Sequence, residues 1–216
     1  TLVEHALMRN VLADLALGSE AATALALRVA RAFDRARDEQ ERVIARVLTP
    51  ISKFWICKRG SHFGQEAMEC LGGNGYVEEN GEGIMARIYR EMPVNSIWEG
   101  AGNIMALDLL RALRKADAAA ALAQELAPAK GAHPALDRLA AALPARVDRM
   151  ATELEARRLA QDVALAVQAA LLQQTAPCAV FSAFCESRLA GNWGQVFGTL
   201  PAGTDFDTII TRAMPR

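Results

Sequence analysis

The sequence contains few of the residues from which disulfide frameworks and metal sites are built. Among its 216 residues there are four cysteines and three histidines, with no CxxC pair. Structural zinc sites and disulfide-rich folds show characteristic Cys and His spacings, and none is present. We therefore predict no metal ligands and reduced thiols. Cys178 and Cys185 lie seven residues apart on one helical face, where buried structural thiols are expected.

Neither sign of charge is in excess. Lys and Arg total 24 against 25 Asp and Glu, which gives a formal net charge of -1. A protein that attracts polyanions over its whole surface is strongly basic, so this class is excluded. Charged residues also interrupt every apolar run before the roughly 18 residues of a transmembrane helix. We expect no membrane partner and a cytoplasmic location.

Helix-forming residues are abundant. Hydrophobic residues make up 52% of the chain but aromatic residues only 6%. Alanine, leucine and arginine dominate, and these residues have the highest helix propensities. No segment shows a clear strand pattern, so the sequence predicts an all-α fold.

The first helix is predicted to be in progress when the sequence begins. Leu7, Val11, Leu15, Leu25 and Phe33 recur at helical spacings, and no capping residue precedes them. There is no initiator methionine either. We expect the chain to be a fragment of a longer protein.

Further helices follow from the same periodicity, and an antiparallel bundle is their simplest packing. Their predicted ranges are 42–48, continued over 52–58 after a kink or a restart at Pro50, 61–71 with Ser61 as its cap, 96–114, 133–143, 145–174, 178–189 and about 207–213. We assign residues 1–115 to a helical bundle that is truncated at its start. Residues 116–216 are assigned to a further C-terminal helical extension, whose glycine-rich segment before residue 207 is expected to wrap back over the surface.

Residues 66–110 form the most distinctive stretch. Gly72, Gly73 and Gly75 of GGNGY are expected to end one helix, because glycine adopts backbone angles that other residues avoid. A polar loop with Arg87, Arg90, Glu91 and Pro93 should follow. Asn95 or Ser96 would then cap the next helix, which is entered through Trp98, Glu99 and Gly100. From the residues alone, Glu99 most simply complements the dipole of that helix.

The order GGNGY, an arginine-bearing segment and IWEGAGNI resembles the C-terminal signature of the acyl-CoA dehydrogenase family. The resemblance is strongest to the AidB-type adaptive-response branch, which is similar to isovaleryl-CoA dehydrogenases. It implies an FAD-dependent oxidoreductase that acts on an acyl-CoA. Glu99 would be the base that takes the α-proton, and Trp98 and Gly100 would line the substrate pocket. The large Trp98 ring, at a position that is often tyrosine, favours a short or branched acyl group.

The resemblance also implies the cofactor contacts. Gly72 and Gly73 match glycines whose backbones approach the FAD of a neighbouring subunit. Ala101 and Asn103 stand at cofactor-contacting positions where the family commonly has a polar residue and a glutamine. These two departures favour contacts through the backbone over contacts through the side chains. FAD would belong to the full-length protein, and the isolated chain is expected to be inactive.

Two kinds of partner follow from the same resemblance. The family forms dimers or tetramers through this helical domain, so a homo-oligomer is expected. The AidB-type branch is also associated with duplex DNA through an added C-terminal domain. The alternative function is therefore a DNA-associated protective flavoprotein with little turnover. Arg146, Arg149, Arg157 and Arg158 could form a basic stripe for phosphates, or a salt-bridged face with the acids among them, Asp148, Glu153 and Glu155.

Overall fold

The computed structural model describes residues 1–78, 83–149 and 153–215, and within these ranges every regular element is helical, as predicted. The helices of the first half are α1 (Ala6–Asp34), α2 (Glu39–Ser52), α3 (Lys58–Glu69), α4 (Gly73–Tyr76), α5 (Ile84–Asn95) and α6 (Gly102–Leu113). Those of the second half are α7 (Ala116–Leu126), α8 (Pro134–Arg149), α9 (Ala156–Thr175), α10 (Cys178–Phe184) and α11 (Phe206–Ala213).

Helix α1 packs against α2, α9 and α11. Its buried face is centred on Leu17, Ala21 and Leu25, whereas Leu7 and Phe33 of the predicted stripe are 83% and 59% exposed. A 3-10 turn (Leu2–Glu4) precedes α1. The sequence therefore does contain a segment that caps this helix, contrary to the prediction.

By length and composition, α1 is also apolar enough to cross a membrane. The core helix of a helical bundle passes the same test. Two charged residues on the buried side of α1, Asp14 and Arg28, are held by ion pairs with Arg188 and with Glu41 and Glu125. Such pairing is how a packed protein interior accommodates charge.

Helices α2 and α3 are joined by a π-helical turn, Lys53–Cys57. The irregularity predicted at Pro50 is this π turn, whereas the cap predicted at Ser61 is wrong, since the chain remains helical through both residues. The wider π turn shifts the hydrogen-bond pattern just after Pro50, which has no N–H to donate. Gly60 does not end the helix either. A Cβ there would lie 2.9 Å from Met92 Sδ, so this glycine allows α3 and α5 to pack closely.

The predicted polar loop is mostly helix α5. Pro93 lies inside α5, and Arg87, Arg90 and Glu91 lie on the helix rather than on a loop. Asn95 and Ser96 do not cap the next helix, because α6 begins at Gly102 with Ala101 at its N-cap. The positions 79–82 of the predicted loop lie outside the described residues.

Helix α9 is the central helix of the chain. It contacts α1, α2, α6, α7, α8 and α10 and is buried over almost its whole length. A helix that is apolar on all sides requires burial on all sides. Pro144 lies inside α8 and does not separate two helices as predicted. One hydrophobic cluster runs through residues before and after position 115, and the domain boundary there stays a prediction.

The segment 190–205 returns over α1, as expected for the glycine-rich stretch. Asn10 on α1 donates from Nδ2 to the Leu200 carbonyl (2.9 Å) and accepts from the Leu200 amide (3.0 Å). These paired hydrogen bonds hold the segment against the first helix.

Candidate functional site

Glu99 lies in a tight turn between α5 and α6. The Val94 carbonyl accepts from the amides of Ile97 and Trp98, which closes the end of α5. Glu99 then adopts φ 52°, and it is the non-glycine residue with positive φ in the described part of the chain. This region costs a side-chain-bearing residue on the order of 1 kcal/mol or more, and such strain concentrates at functional sites. The Glu99 and Trp98 side chains are exposed.

Gly100 is required by the backbone itself. Its φ is 121°, and a Cβ added to it would lie 2.4 Å from Met105 Cε. A side chain at this position would therefore be strained and would also displace Met105. Gly100 thus fixes the backbone on the C-terminal side of Glu99. Its role in a substrate pocket stays a prediction.

The first turn of α6 follows directly. Ala101 is extended (φ -67°, ψ 163°) and has no side-chain cap. A Cβ added to the buried Gly102 would lie 3.5 Å from Lys58 Cε and 3.7 Å from Phe54 Cδ2. The side-chain oxygen Oδ1 of Asn103 accepts from Arg157 Nη1 at 3.3 Å. Arg157, from the second half of the chain, thus places its cation at the start of α6. The start of α6 directly follows the Glu99 turn.

The GGNGY turn is built separately, between α3 and α5. Gly72 has φ 62°, and both Gly72 and Gly73 are exposed with no atom within 4 Å of an added Cβ. Gly75 differs, because its Cβ would lie 2.1 Å from the Met68 carbonyl oxygen. Gly75 therefore serves the packing of the turn, whereas the open faces of Gly72 and Gly73 leave the backbone accessible to a bound group.

A basic cleft of about 350 Å³ lies beside the start of α6. Its charged lining residues are Lys58, Arg59, Arg157 and Arg158. The sequence predicted only the last two of these. The adjacent Lys-Arg and Arg-Arg pairs were the available signal, but nothing in the sequence indicated that α3 and α9 meet here.

The predicted basic stripe on α8 and α9 is interrupted. Arg146 and Arg158 both bind Asp162, through contacts of 2.5 Å and 3.1 Å. This supports the salt-bridged alternative for two of the four arginines, although the acid is Asp162 rather than the ones predicted. Asp148 and Arg149 have side chains outside the described part of the chain.

The cysteines are unpaired thiols. Cys185 is fully buried, and burial, with a smaller contribution from Glu186, raises the pKa of its thiol to about 12. Cys178 is exposed, which corrects the prediction that both thiols are buried. Among the described residues, no group of three or more His, Cys, Asp or Glu side chains is placed to hold a metal ion.

Helices α1 to α6, with the turn at Glu99, lie in the part of the chain that matches a known family. The family model "Acyl-CoA dehydrogenase, C-terminal domain" matches residues 1–114. The chain therefore belongs to the acyl-CoA dehydrogenase family, whose members are oxidoreductases that generally use FAD.

Comparisons with whole proteins agree with the family match. The chain is 44% identical over 189 residues to the putative acyl-CoA dehydrogenase AidB of Escherichia coli, a match that covers 87% of this chain and 34% of that protein. The solved structure of apo Bd2924 superposes with a TM-score of 0.64 at 28% identity over 78% of this chain and 32% of that one. ACDH-11 of Caenorhabditis elegans in complex with C11-CoA also has a TM-score of 0.64, at 22% identity over 80% of this chain and 34% of that one, which shows a shared fold. The chain thus spans about a third of the length of these relatives.

Proposed function

We propose that this chain is the C-terminal helical part of an FAD-dependent acyl-CoA dehydrogenase in which Glu99 removes the α-proton of a short or branched acyl-CoA. The observation that carries the proposal is the turn at Glu99. An exposed glutamate held at φ 52° beside an obligatory glycine costs stability that a glycine or asparagine at position 99 would not. A catalytic carboxylate at that position accounts for the cost.

The role of Glu99 in the reaction is proton transfer. A carboxylate oxygen would take the proton from the α-carbon of the thioester, and closure of the site by the rest of the protein would exclude water. FAD, when bound, supplies the acceptor for the hydride that leaves the β-carbon. The Glu99 turn is tied to the start of α6, so the carboxylate is presented from a rigid helix end rather than from a long loop.

The residues for FAD fit a backbone contact better than a side-chain contact. Gly72 and Gly73 are exposed and have open space at the Cβ position, so a planar or phosphate-bearing group could approach their backbone. Ala101 has no polar side-chain atom, and the side-chain oxygen of Asn103 is engaged by Arg157. We therefore assign the cofactor contact of this chain chiefly to the glycine turn, with Asn103 contributing once Arg157 is displaced or shared.

Trp98 and the apolar surface complete the proposal. Trp98 is 59% exposed next to Glu99, where its ring would restrict the length of the acyl chain.

Exposed apolar residues on α1, among them Leu7, Leu27 and Phe33, would be covered in a homo-dimer or homo-tetramer. The protein would act in the cytoplasm.

The test uses the full-length protein with its flavin. Isovaleryl-CoA, butyryl-CoA and decanoyl-CoA are added anaerobically while the flavin absorbance is followed in a stopped-flow instrument. We expect fast bleaching with the two short substrates and a loss of roughly 10²–10⁴-fold in rate for Glu99→Gln, the usual contribution of a positioned base. Glu91→Gln, an exposed glutamate on α5, is the matched control. Equal rates for the Glu99→Gln variant and the parent would refute the assignment of the base.

A second candidate function is supported by the basic cleft. Lys58, Arg59, Arg157 and Arg158 line one opening, and a phosphate backbone binds where such cations converge. This favours the DNA-associated alternative, in which Glu99 is present but turnover is low. Fluorescence anisotropy with duplex DNA across a salt series tests it. A Lys58→Gln/Arg157→Gln variant should reduce the slope of log K against log salt by about 2, and the absence of salt-dependent binding would rule out this candidate.

A further inference from the structure

A second cavity lies between the two halves of the chain and shares Trp55 and Arg59 with the basic cleft. Its volume is about 620 Å³, within the roughly 300–1,000 Å³ of small-molecule sites. Helices α1, α3 and α5 form one side, and α9, α10 and the π-helical turn Cys185–Leu189 form the other. Most of its surface is apolar, with Phe63, Met85 and Ile88 among the contributors.

The polar residues of this cavity carry an unbalanced positive charge. Arg188 has a side chain that is only 6% exposed, and its Nη2 binds the fully buried Asp14. Its Nη1 is also buried and has no hydrogen-bond partner. Leaving a buried, charged donor unsatisfied is costly, so this atom calls for an acceptor, and Arg188 is one of the residues that line the cavity.

Arg59 adds a second cation to the same cavity. Its guanidinium lies 4.9 Å from the ring centre of Trp55, 5.3 Å from Trp193 and 5.8 Å from Phe197. Among the residues that the structure describes, no carboxylate lies within ion-pair distance of it. Burial and the nearby Arg188 lower the pKa of Arg59 to about 10, an effect that Asp14 only partly offsets. Arg59 and Arg188 therefore share one nearby carboxylate, that of Asp14.

Gln168 on α9 supplies a second unsatisfied polar atom. Its side chain is 2% exposed, lines the cavity, and has an Oε1 without a hydrogen-bond partner. A buried carbonyl oxygen of this kind accepts from a hydroxyl, an amide or an ordered water.

We propose that this cavity binds a small amphipathic carboxylate, whose anionic group contacts Arg188 Nη1 and Arg59 and whose hydrocarbon chain lies against the apolar wall. The carboxylate balances the excess positive charge and satisfies the unpaired Nη1, while the chain fills the space beside Phe63, Met85 and Ile88. The site is distinct from the Glu99 turn, because none of residues 96–101 lines it, and it requires neither the flavin nor the acyl-CoA.

The probe for this site is decanoate, measured by isothermal titration calorimetry on the chain without flavin. Decanol and decyltrimethylammonium have the same chain with no charge or the opposite charge. We expect decanoate to bind at least about tenfold more tightly than either, because a hydrogen bond to a charged group contributes roughly 1.5–3 kcal/mol.

Substitutions locate the site. Arg59→Met should weaken decanoate binding about tenfold or more, whereas Arg59→Lys should retain most of it. Arg59 is preferred to Arg188 here, because replacing Arg188 would leave Asp14 buried without its cation. Ala67→Trp should block binding by filling the cavity, and Arg138→Met, an exposed arginine on α8, should have no effect. Equal binding of decanol and decanoate, or unchanged decanoate binding by the Arg59→Met and Ala67→Trp variants, would overturn the proposal.

Discussion

Asp14 holds the C-terminal part of the chain onto α1, and its replacement by asparagine should destabilise the whole fold. Its carboxylate is fully buried and accepts from Arg188, from Trp193 Nε1 at 2.8 Å and from the Gly198 amide at 3.0 Å. An asparagine side chain at this position would have one acceptor oxygen instead of two and no charge. Arg188 would then remain buried without its counterion, beside the second cation Arg59.

The size of the effect follows from this loss. Breaking a buried ion pair from one side costs roughly 3–5 kcal/mol, because the remaining charge stays desolvated. For a chain of this length each kcal/mol lowers Tm by about 2–4 °C, so Asp14→Asn should lower Tm by roughly 6–20 °C. Thermal unfolding followed by circular dichroism measures the shift.

Asp207→Asn is the matched control. Asp207 also pairs with an arginine, Arg9, but its side chain is 87% exposed, and an exposed pair contributes only about 0–1 kcal/mol. The double variant Asp14→Leu/Arg188→Met should recover part of the loss of the single variant, since it removes both charges together. A Tm for Asp14→Asn within about 2 °C of the parent would refute the anchoring role of Asp14.

Two further predictions concern the thiols and the glycine turn. Iodoacetamide at pH 8 should modify the exposed Cys178 and leave Cys185 unmodified in the native chain, because the pKa of the buried thiol is raised to about 12; mass spectrometry after proteolysis checks this, and rapid native modification of Cys185 would contradict it. Gly75→Ala should lower the free energy of unfolding by roughly 1–3 kcal/mol, because its Cβ would meet the Met68 carbonyl, whereas Gly73→Ala, with open space at its Cβ, should cost well under half as much in the same urea titration.

The central motif was predictable because its information is local. The residues around Glu99 and the glycines of GGNGY carry the family signature, and the family match agrees with it. The conformation of the Glu99 turn was not predictable in the same way. Placing the start of α6 at Ser96 assumes that the first polar residue caps the helix, whereas residues 96–101 form the turn that carries Glu99.

Helix α5 shows why polarity alone misleads. Arg87, Arg90 and Glu91 made the segment resemble a loop, but they occupy the outer side of a helix. Its inner side is marked by Met85, Ile88 and Met92, which are spaced three and four residues apart and line the 620 Å³ cavity. That spacing is the helical signal, and it was present in the sequence.

The cavity itself could not be predicted. Asp14 and Arg188 are 174 residues apart, and their contact exists only because α9 holds α1 and α10 together. The sequence shows that both residues are charged. Only the fold shows that both are buried, and buried charges of opposite sign have to be paired. Pairings over such separations depend on the tertiary fold rather than on local pattern.

The separation of 174 residues between Asp14 and Arg188 also affects how the protein is made. A ribosome releases α1 long before it has added Arg188, Trp193 and Gly198, the groups that neutralise and bind the Asp14 carboxylate. Until then, the apolar face of the first helix carries a bare negative charge that resists burial. We therefore expect α1 to dock stably only after the stretch from Arg188 to Gly198 has been synthesised.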